Sequence, residues 1–155
     1  MRVLSTAGLT SIFSQNSDEV WLALLTISHP SLDAPLMFVS NTESITSRGN
    51  IFVGYVFSLE LPAEDPDMPG EARLVISNID RAIVNLIRSL SSPPSILIEI
   101  VLASQPDTVE ASFDGLVLRE AGWDAMEVRG TLKYDDILTE PISVQMTPSR
   151  FPGLF

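Results

Sequence analysis

The strongest constraint on the fold is a strand–helix–strand pattern between Ala72 and Leu102. Within it, apolar residues recur at spacings of three and four over residues 79–90, which is typical of one helical stripe. Asn78 can cap this helix, and Pro93-Pro94 ends it because proline lacks an amide and disfavours helical geometry in the residue before it. Residues 96–102 are almost entirely apolar and predict a buried strand. The pattern therefore predicts an amphipathic helix packed on a sheet.

The rest of the chain predicts further strands and few helices. Segments rich in β-branched and aromatic residues alternate with turn residues; these segments are 20–28, 36–39, 51–61, 111–119 and 125–134. Residues 104–108 are predicted as a turn and residues 120–124 as a hairpin loop. Before the first strand, four apolar side chains predict a short N-terminal helix capped by Ser5 or Thr6; they are Leu4, Leu9, Ile12 and Phe13. We expect a mainly β fold, an antiparallel β-sandwich or barrel of seven to eight strands with a flanking amphipathic helix.

Length and composition favour one domain. The chain has 155 residues, of which 45% are hydrophobic, so it can bury a substantial core. We expect an N-terminal arm or short helix over 1–18, a β core over 19–146 and an extended tail over 147–155. With no cysteine, the chain has neither disulfides nor thiolate chemistry. The longest apolar run, 20–27, is too short to span a bilayer, and no signal peptide or membrane anchor is predicted.

The charge of the chain argues against nucleic-acid binding. Nine basic and twenty acidic residues give a net charge of −11. Such a surface repels nucleic-acid phosphates and anionic membranes, and the basic residues are scattered along the sequence. We therefore expect no sequence-specific recognition of nucleic acid.

The motifs of common active sites are missing from the sequence. The one histidine, His29, precedes a proline and is predicted as a turn residue at a strand end. No Gly-x-Ser-x-Gly elbow and no phosphate-binding glycine loop occurs. Asp65 could begin an EF-hand-like loop with Gly70 at its sixth position, but Ile76 occupies the twelfth, where a glutamate is needed. We therefore predict no catalytic, cofactor-binding or metal-binding residues.

Two segments are predicted to contact other proteins. The first is the acidic, proline-rich loop 62–70, and the second is the apolar tail. The candidate residues are Glu64, Asp65, Asp67 and Met68 in the loop, and Phe151, Leu154 and Phe155 in the tail. Large apolar side chains that stay exposed to water form a hydrophobic patch that tends to bind another surface, and aromatic side chains are favoured at interfaces. The tail is expected to dock either on the protein's own sheet or on a neighbouring subunit.

Several segments together resemble a known family. They are Asp18–Val20, Leu24–Pro30, Ala72–Arg81, Pro93-Pro94, Ile100–Glu110 and Pro148–Phe155. The chain resembles a family of small phage and prophage proteins catalogued as a domain of unknown function. Members are similar to tail proteins and tend to lie among tail-tip genes of long-tailed phages. The resemblance covers Asp18 to Phe155.

The resemblance implies a structural role without catalysis. The chain is expected to be a ring-forming subunit or adaptor at the distal end of the tail tube. It would be made in the host cytoplasm and reside in the virion tail. Its expected partners are other copies of itself and tail-tube, distal-tail or hub subunits, with no cofactor. The negative charge would suit an acidic lumen that DNA passes without sticking.

Two other functions stay open from the sequence. One is a ligand- or carbohydrate-binding β-sandwich module, which needs an open groove with convergent aromatic and polar side chains. The other is a tail-associated cell-wall hydrolase, which needs a pre-organised catalytic constellation. The single histidine and the missing motifs argue against the hydrolase.

Overall fold

The computed structural model describes residues 4–60, 71–77, 85, 89–123 and 127–134. The helix predicted over 79–90 lies mostly outside these residues. The two described residues within it, Asn85 and Ser89, have helical backbone. The predicted N-terminal helix is confirmed as α1, and Ser5 is its cap because its side chain accepts a hydrogen bond from the Gly8 amide.

The described strands form one mixed sheet, and the mainly β class is confirmed. The helix is α1 (Thr6–Phe13), and the strands are β1 (Trp21–Ser28), β2 (Leu36–Val39), β3 (Ile45–Ser47), β4 (Asn50–Gly54), β5 (Phe57–Glu60), β6 (Glu71–Ser77), β7 (Ser95–Leu102), β8 (Gln105–Trp123) and β9 (Glu127–Tyr134). Their spatial order is β3-β4-β2-β1-β7-β8-β9-β6-β5. The nine strands exceed the seven or eight expected, and the sheet is open instead of a closed barrel. The β2–β4 pair is parallel, which corrects the expectation of a purely antiparallel arrangement.

The predicted strand over 51–61 is two strands that lie far apart in the strand order. Only Tyr55 and Val56 separate β4 from β5. The Tyr55 amide donates to the Val39 carbonyl at 2.9 Å, and the Ser77 amide donates to the Val56 carbonyl at 3.0 Å. Two residues can span only a short distance, so the sheet curls until its two ends approach each other.

Strand β8 is longer than the sequence indicates. The predicted turn over 104–108 and the predicted hairpin loop over 120–124 lie largely within it, and Gly122 pairs with β9. The pairing register of β8 shifts by one residue at Glu110, which the pairing with β7 skips, and at Arg119, which the pairing with β9 skips. An extra residue in a strand bends it and increases its twist, so β8 continues through the predicted turns as one bent strand.

The core lies on both faces of the curled sheet. The larger cluster lines the inner face and draws on residues from β1, β2, β6, β7, β8 and β9. The smaller cluster lies on the outer face, where Phe52 of the β3–β4 hairpin packs with Leu24 and Val101. Leu24 and Leu25 belong to different clusters because neighbouring strand residues point to opposite faces. The hairpin therefore covers part of the outer face.

Candidate functional site

The interaction residues predicted from sequence lie outside the described residues. These residues are Glu64, Asp65, Asp67 and Met68 of the acidic loop and Phe151, Leu154 and Phe155 of the tail. Their roles stay predictions. Within the described residues, the features able to support a function are two buried carboxylates, an arginine-lined groove and two exposed apolar surfaces.

The first buried carboxylate, Glu99 on β7, fixes the β3–β4 hairpin to the sheet. The Arg48 guanidinium binds it with two hydrogen bonds, from Nη1 at 2.7 Å and from Nη2 at 2.5 Å. These hydrogen bonds raise the pKa of Arg48, and Coulombic attraction to Glu99 and Asp107 adds to the effect. The Arg48 amide also donates to Asp107 Oδ1 at 2.5 Å. The hairpin therefore has a defined position on the outer face of the sheet.

The second buried carboxylate, Glu110 on β8, fixes α1. The Ser5 amide donates to Glu110 Oε2 at 2.7 Å, and the Ser5 hydroxyl donates to Oε1. Gly8 allows this approach, because a Cβ at that position would lie 2.7 Å from Glu110 Oε2. The positive end of the helix dipole favours a carboxylate at this place. The N-terminus of α1 is therefore attached to the sheet by polar contacts.

We expect Glu110→Gln to loosen α1 without disturbing the sheet. The glutamine side chain has one oxygen that can still accept a hydrogen bond from Ser5, but its NH2 group would face the second Ser5 donor. One charge-assisted hydrogen bond, worth about 2 kcal/mol, would therefore be lost. Hydrogen exchange followed by mass spectrometry should show faster exchange in α1 and unchanged exchange in β7. Asp114→Asn removes the same charge from an exposed position of β8 and serves as the control. Unchanged exchange in α1 would contradict this role of Glu110.

A further carboxylate outside the core ties the start of β1 to the β7–β8 turn. Glu19 accepts hydrogen bonds from the Ser104 hydroxyl at 2.8 Å and from the Ser104 amide at 3.1 Å. These hydrogen bonds lower the pKa of Glu19, with the hydroxyl making the larger contribution. The contact places the β7–β8 turn beside the segment that leads from α1 into β1.

His29 is hydrogen-bonded to Ser92, but the ring nitrogen that faces the serine hydroxyl carries the ring proton and cannot act as a base toward it. His29 Nδ1 accepts a hydrogen bond from the Ser31 amide at 3.0 Å. In the neutral ring, Nε2 then carries the proton and donates to Ser92 Oγ, which lies at 2.7 Å. A base that activates a serine must accept the hydroxyl proton at that nitrogen. This geometry matches the expectation of a turn residue at the end of β1.

A groove of about 830 Å³ lies beside the strands β5, β6, β8 and β9. Three arginines, Arg73, Arg119 and Arg129, are among its lining residues. Glu60 lies opposite Arg73 in the β5–β6 register, and both Arg119 and Arg129 already take part in interactions within the chain. This group is not visible in the sequence, because strand pairing alone brings the three arginines together. The groove offers guanidinium donors to an anionic ligand, on a surface that also carries acidic charge.

Two sets of apolar side chains are exposed to solvent. Leu9, Ile12 and Phe13, here called the α1 stripe, are 43%, 54% and 83% exposed. Ile51 and Val53 of β4, here called the β4 row, are 67% and 49% exposed. Contiguous exposed apolar groups commonly mark surfaces that bind another protein segment. Both sets could be recognised in the sequence only as apolar residues, since their exposure depends on which face of each element is covered.

No group of three or more His, Asp or Glu side chains within the described part of the chain is arranged to hold a metal ion. Among the same residues, no helix has both the length and the apolar character needed to cross a membrane.

Comparison with known proteins places the chain in a family without an assigned function. The model of a domain of unknown function, DUF1833, matches residues 8–147. The matched span includes the nine described strands and α1 from Gly8 onward. No curated protein matches the chain.

Proposed function

The chain belongs to the DUF1833 family, and from that premise we propose that it is a non-catalytic structural subunit of a phage or prophage tail tip. The observation that carries the proposal is the β4 row, an exposed apolar surface on a hairpin that is held firmly to an open sheet. The resemblance of segments such as Leu24–Pro30 and Ile100–Glu110 to phage tail proteins supplies the setting. The partners would be further copies of the chain and tail-tube, distal-tail or hub subunits.

The β4 row has the properties of a subunit contact. Phe52, between Ile51 and Val53, is 2% exposed and packs into the outer-face core, so the hairpin can present its other face to a partner without unfolding. Complete burial of an aliphatic side chain stabilises by about 1.5–3 kcal/mol, so two half-exposed side chains offer about 2 kcal/mol. This is enough for a weak contact, which the closure of a ring would reinforce through multivalency.

We expect Ile51→Ser combined with Val53→Ser to reduce incorporation into tails by about tenfold, as loss of a contact worth about 1.4 kcal/mol implies. The test uses a bacterial host whose prophage carries the gene, with quantitative mass spectrometry of purified tails. Both side chains point away from the core, so circular dichroism and the thermal midpoint should stay close to those of the wild type. Thr46→Ser, an exposed polar change on the same hairpin, is the matched control.

The proposal fails in either of two results. Wild-type chain absent from purified tails would refute the location in the virion. Wild-type incorporation of the double variant would refute the β4 row as the contact. A folded variant that no longer incorporates supports both parts.

The groove supports a second candidate, a module that binds a small ligand. Its volume of about 830 Å³ lies within the range of ligand sites. Its described lining includes arginines and no aromatic ring, so its chemistry suits an anionic sugar or carboxylate better than a neutral carbohydrate that stacks on an aromatic platform.

Calorimetric titration with a uronic-acid oligosaccharide and with its neutral counterpart would test this candidate. Binding of the acidic compound that is abolished by Arg73→Gln would favour the ligand-binding function.

A further inference from the structure

The orientation of α1 is unusual for a surface helix. Gly8 is buried against Glu110, and the Trp21 indole donates to Ser11 Oγ at 3.2 Å, so Gly8 and Ser11 face the protein. The α1 stripe projects in another direction and is largely exposed. Surface helices normally bury their apolar stripe against the core, and the eight-residue length of α1 makes it marginal as an isolated helix. A further chain segment that covers the stripe would supply the missing burial.

The direction of β9 identifies a segment that can reach the α1 stripe. β9 runs antiparallel to β8 and ends at Tyr134, opposite Leu116. From there, its direction leads along β8 toward Glu110, the residue that holds α1. The six-residue separation between Leu116 and Glu110 corresponds to about 20 Å along a strand. The 21 residues over 135–155 could span about 70 Å when extended, which exceeds this distance several-fold.

We propose that the C-terminal segment 148–155 of the same chain docks on the α1 stripe. The segment contains Phe151, Leu154 and Phe155, whose apolar side chains match the chemistry of the stripe. Attachment through the same chain gives the segment an effective concentration in the millimolar range, which favours docking on its own helix over docking on another copy in dilute solution. This contact goes beyond the proposed function, which assigns the β4 row to neighbouring subunits.

An engineered disulfide tests the contact in the full-length chain. The sequence contains no cysteine, so Ile12→Cys combined with Leu154→Cys introduces one possible pair. Under mild oxidation we expect an intramolecular disulfide, seen as a faster-migrating monomer on a non-reducing gel and as a cross-linked peptide by mass spectrometry. The matched control combines Thr10→Cys with Leu154→Cys. Thr10 is exposed on α1 but points about 160° away from Ile12, so it should form little cross-link.

Each result of the cross-linking experiment decides the proposal. An intramolecular disulfide at position 12 that exceeds the control supports it. Disulfide-linked dimers would show that the segment docks on a second copy. Equal cross-linking of the position-10 and position-12 variants, or no cross-linking of either variant, would show that the segment does not dock on the stripe. Each of these three results overturns the proposal. None of them depends on incorporation into tails, so the result is independent of the test of the β4 row.

A chain that ends at Pro148 provides a second measurement. We expect amide exchange in α1 to be about tenfold faster than in the full-length protein, while exchange in β7 stays unchanged. Equal exchange of α1 in the two chains would overturn the proposal even if both remain folded.

Discussion

Replacing Gly54 by alanine is expected to lower the free energy of unfolding by about 3 kcal/mol, the upper part of the range for overpacked sites. A Cβ at this position would lie 2.8 Å from the backbone carbon of Glu43 and 2.9 Å from the backbone carbon and oxygen of Thr42. These backbone atoms cannot rotate away as a side chain could. The pairing of Gly54 with Val39 and the hydrogen bond from its amide to Ser44 Oγ at 3.1 Å oppose a shift of β4 itself.

Urea unfolding followed by circular dichroism measures the loss in the free energy of unfolding. In thermal unfolding of a chain of this size, a loss of 3 kcal/mol corresponds to a decrease of about 6–12 °C in the midpoint. Gly122→Ala is the control, because nothing lies within 4 Å of a Cβ built at Gly122. We expect the control to change stability by about 0.5 kcal/mol or less. Equal destabilisation by the two substitutions would contradict the steric explanation.

Replacing Arg48 by methionine is expected to destabilise the protein by about 3 kcal/mol. The substitution leaves the Glu99 carboxylate, 7% exposed, without its cationic partner. Removing one member of a buried ion pair costs about 3–5 kcal/mol, and the 40% exposure of the Arg48 side chain places this pair at the lower end. The loss should appear in urea unfolding at pH 7, and the β3–β4 hairpin should show increased amide exchange.

A double-mutant cycle separates the ion pair from other effects of the arginine. Combining Arg48→Met with Glu99→Leu removes both charges, and we expect the double variant to recover most of the lost stability. If the two effects simply add, the uncompensated carboxylate is not the cause.

The turn itself requires a separate comparison. Arg48 and Gly49 have φ angles of +49° and +78°, a conformation that asparagine adopts more readily than arginine. Arg48→Asn improves the turn and still removes the ion pair, so a loss close to that of Arg48→Met would show that the pair is the dominant contribution.

Local patterns in the sequence predicted several elements well. α1 follows from an apolar spacing of three and four and from Ser5, whose hydroxyl can reach the Gly8 amide only three residues away. β1, β2 and β7 follow from short apolar, β-branched runs that end at turn residues. The mainly β class then follows from the number of such runs. These predictions succeeded because the interactions that define each element lie within a few residues.

The same patterns failed where a residue's role depends on distant parts of the chain. The 51–61 run has strand character throughout, but its halves pair with β2 and with β6, so it divides at Tyr55 and Val56. Gly122 was predicted as a loop residue, but its pairing with β9 keeps it within β8. Local propensity could not indicate these partners, because pairing energy comes from the neighbouring strand.

The long-range contacts that position α1 and the β3–β4 hairpin were even less visible in the sequence. Glu110 contacts Ser5 across a sequence separation of 105 residues, and Glu99 contacts Arg48 across 51 residues. In the sequence these carboxylates are indistinguishable from surface charge, whereas the acidic loop 62–70 and the apolar tail stand out by composition. One signal was present, since Glu99 interrupts the apolar run of β7, where a buried charge needs a partner.

The amino-acid sequence by itself determined that this protein is mainly β, contains a short capped helix before β1 and lacks the common catalytic motifs. Those properties depend on periodicity, capping and residue chemistry, which act over a few residues. Only the tertiary structure decided that the strand–helix–strand segment contributes β6 and β7 to two separate parts of one curled sheet. It also decided which carboxylates are buried and which apolar surfaces stay exposed. These properties depend on strand order and register, which arise from contacts between residues far apart in the chain.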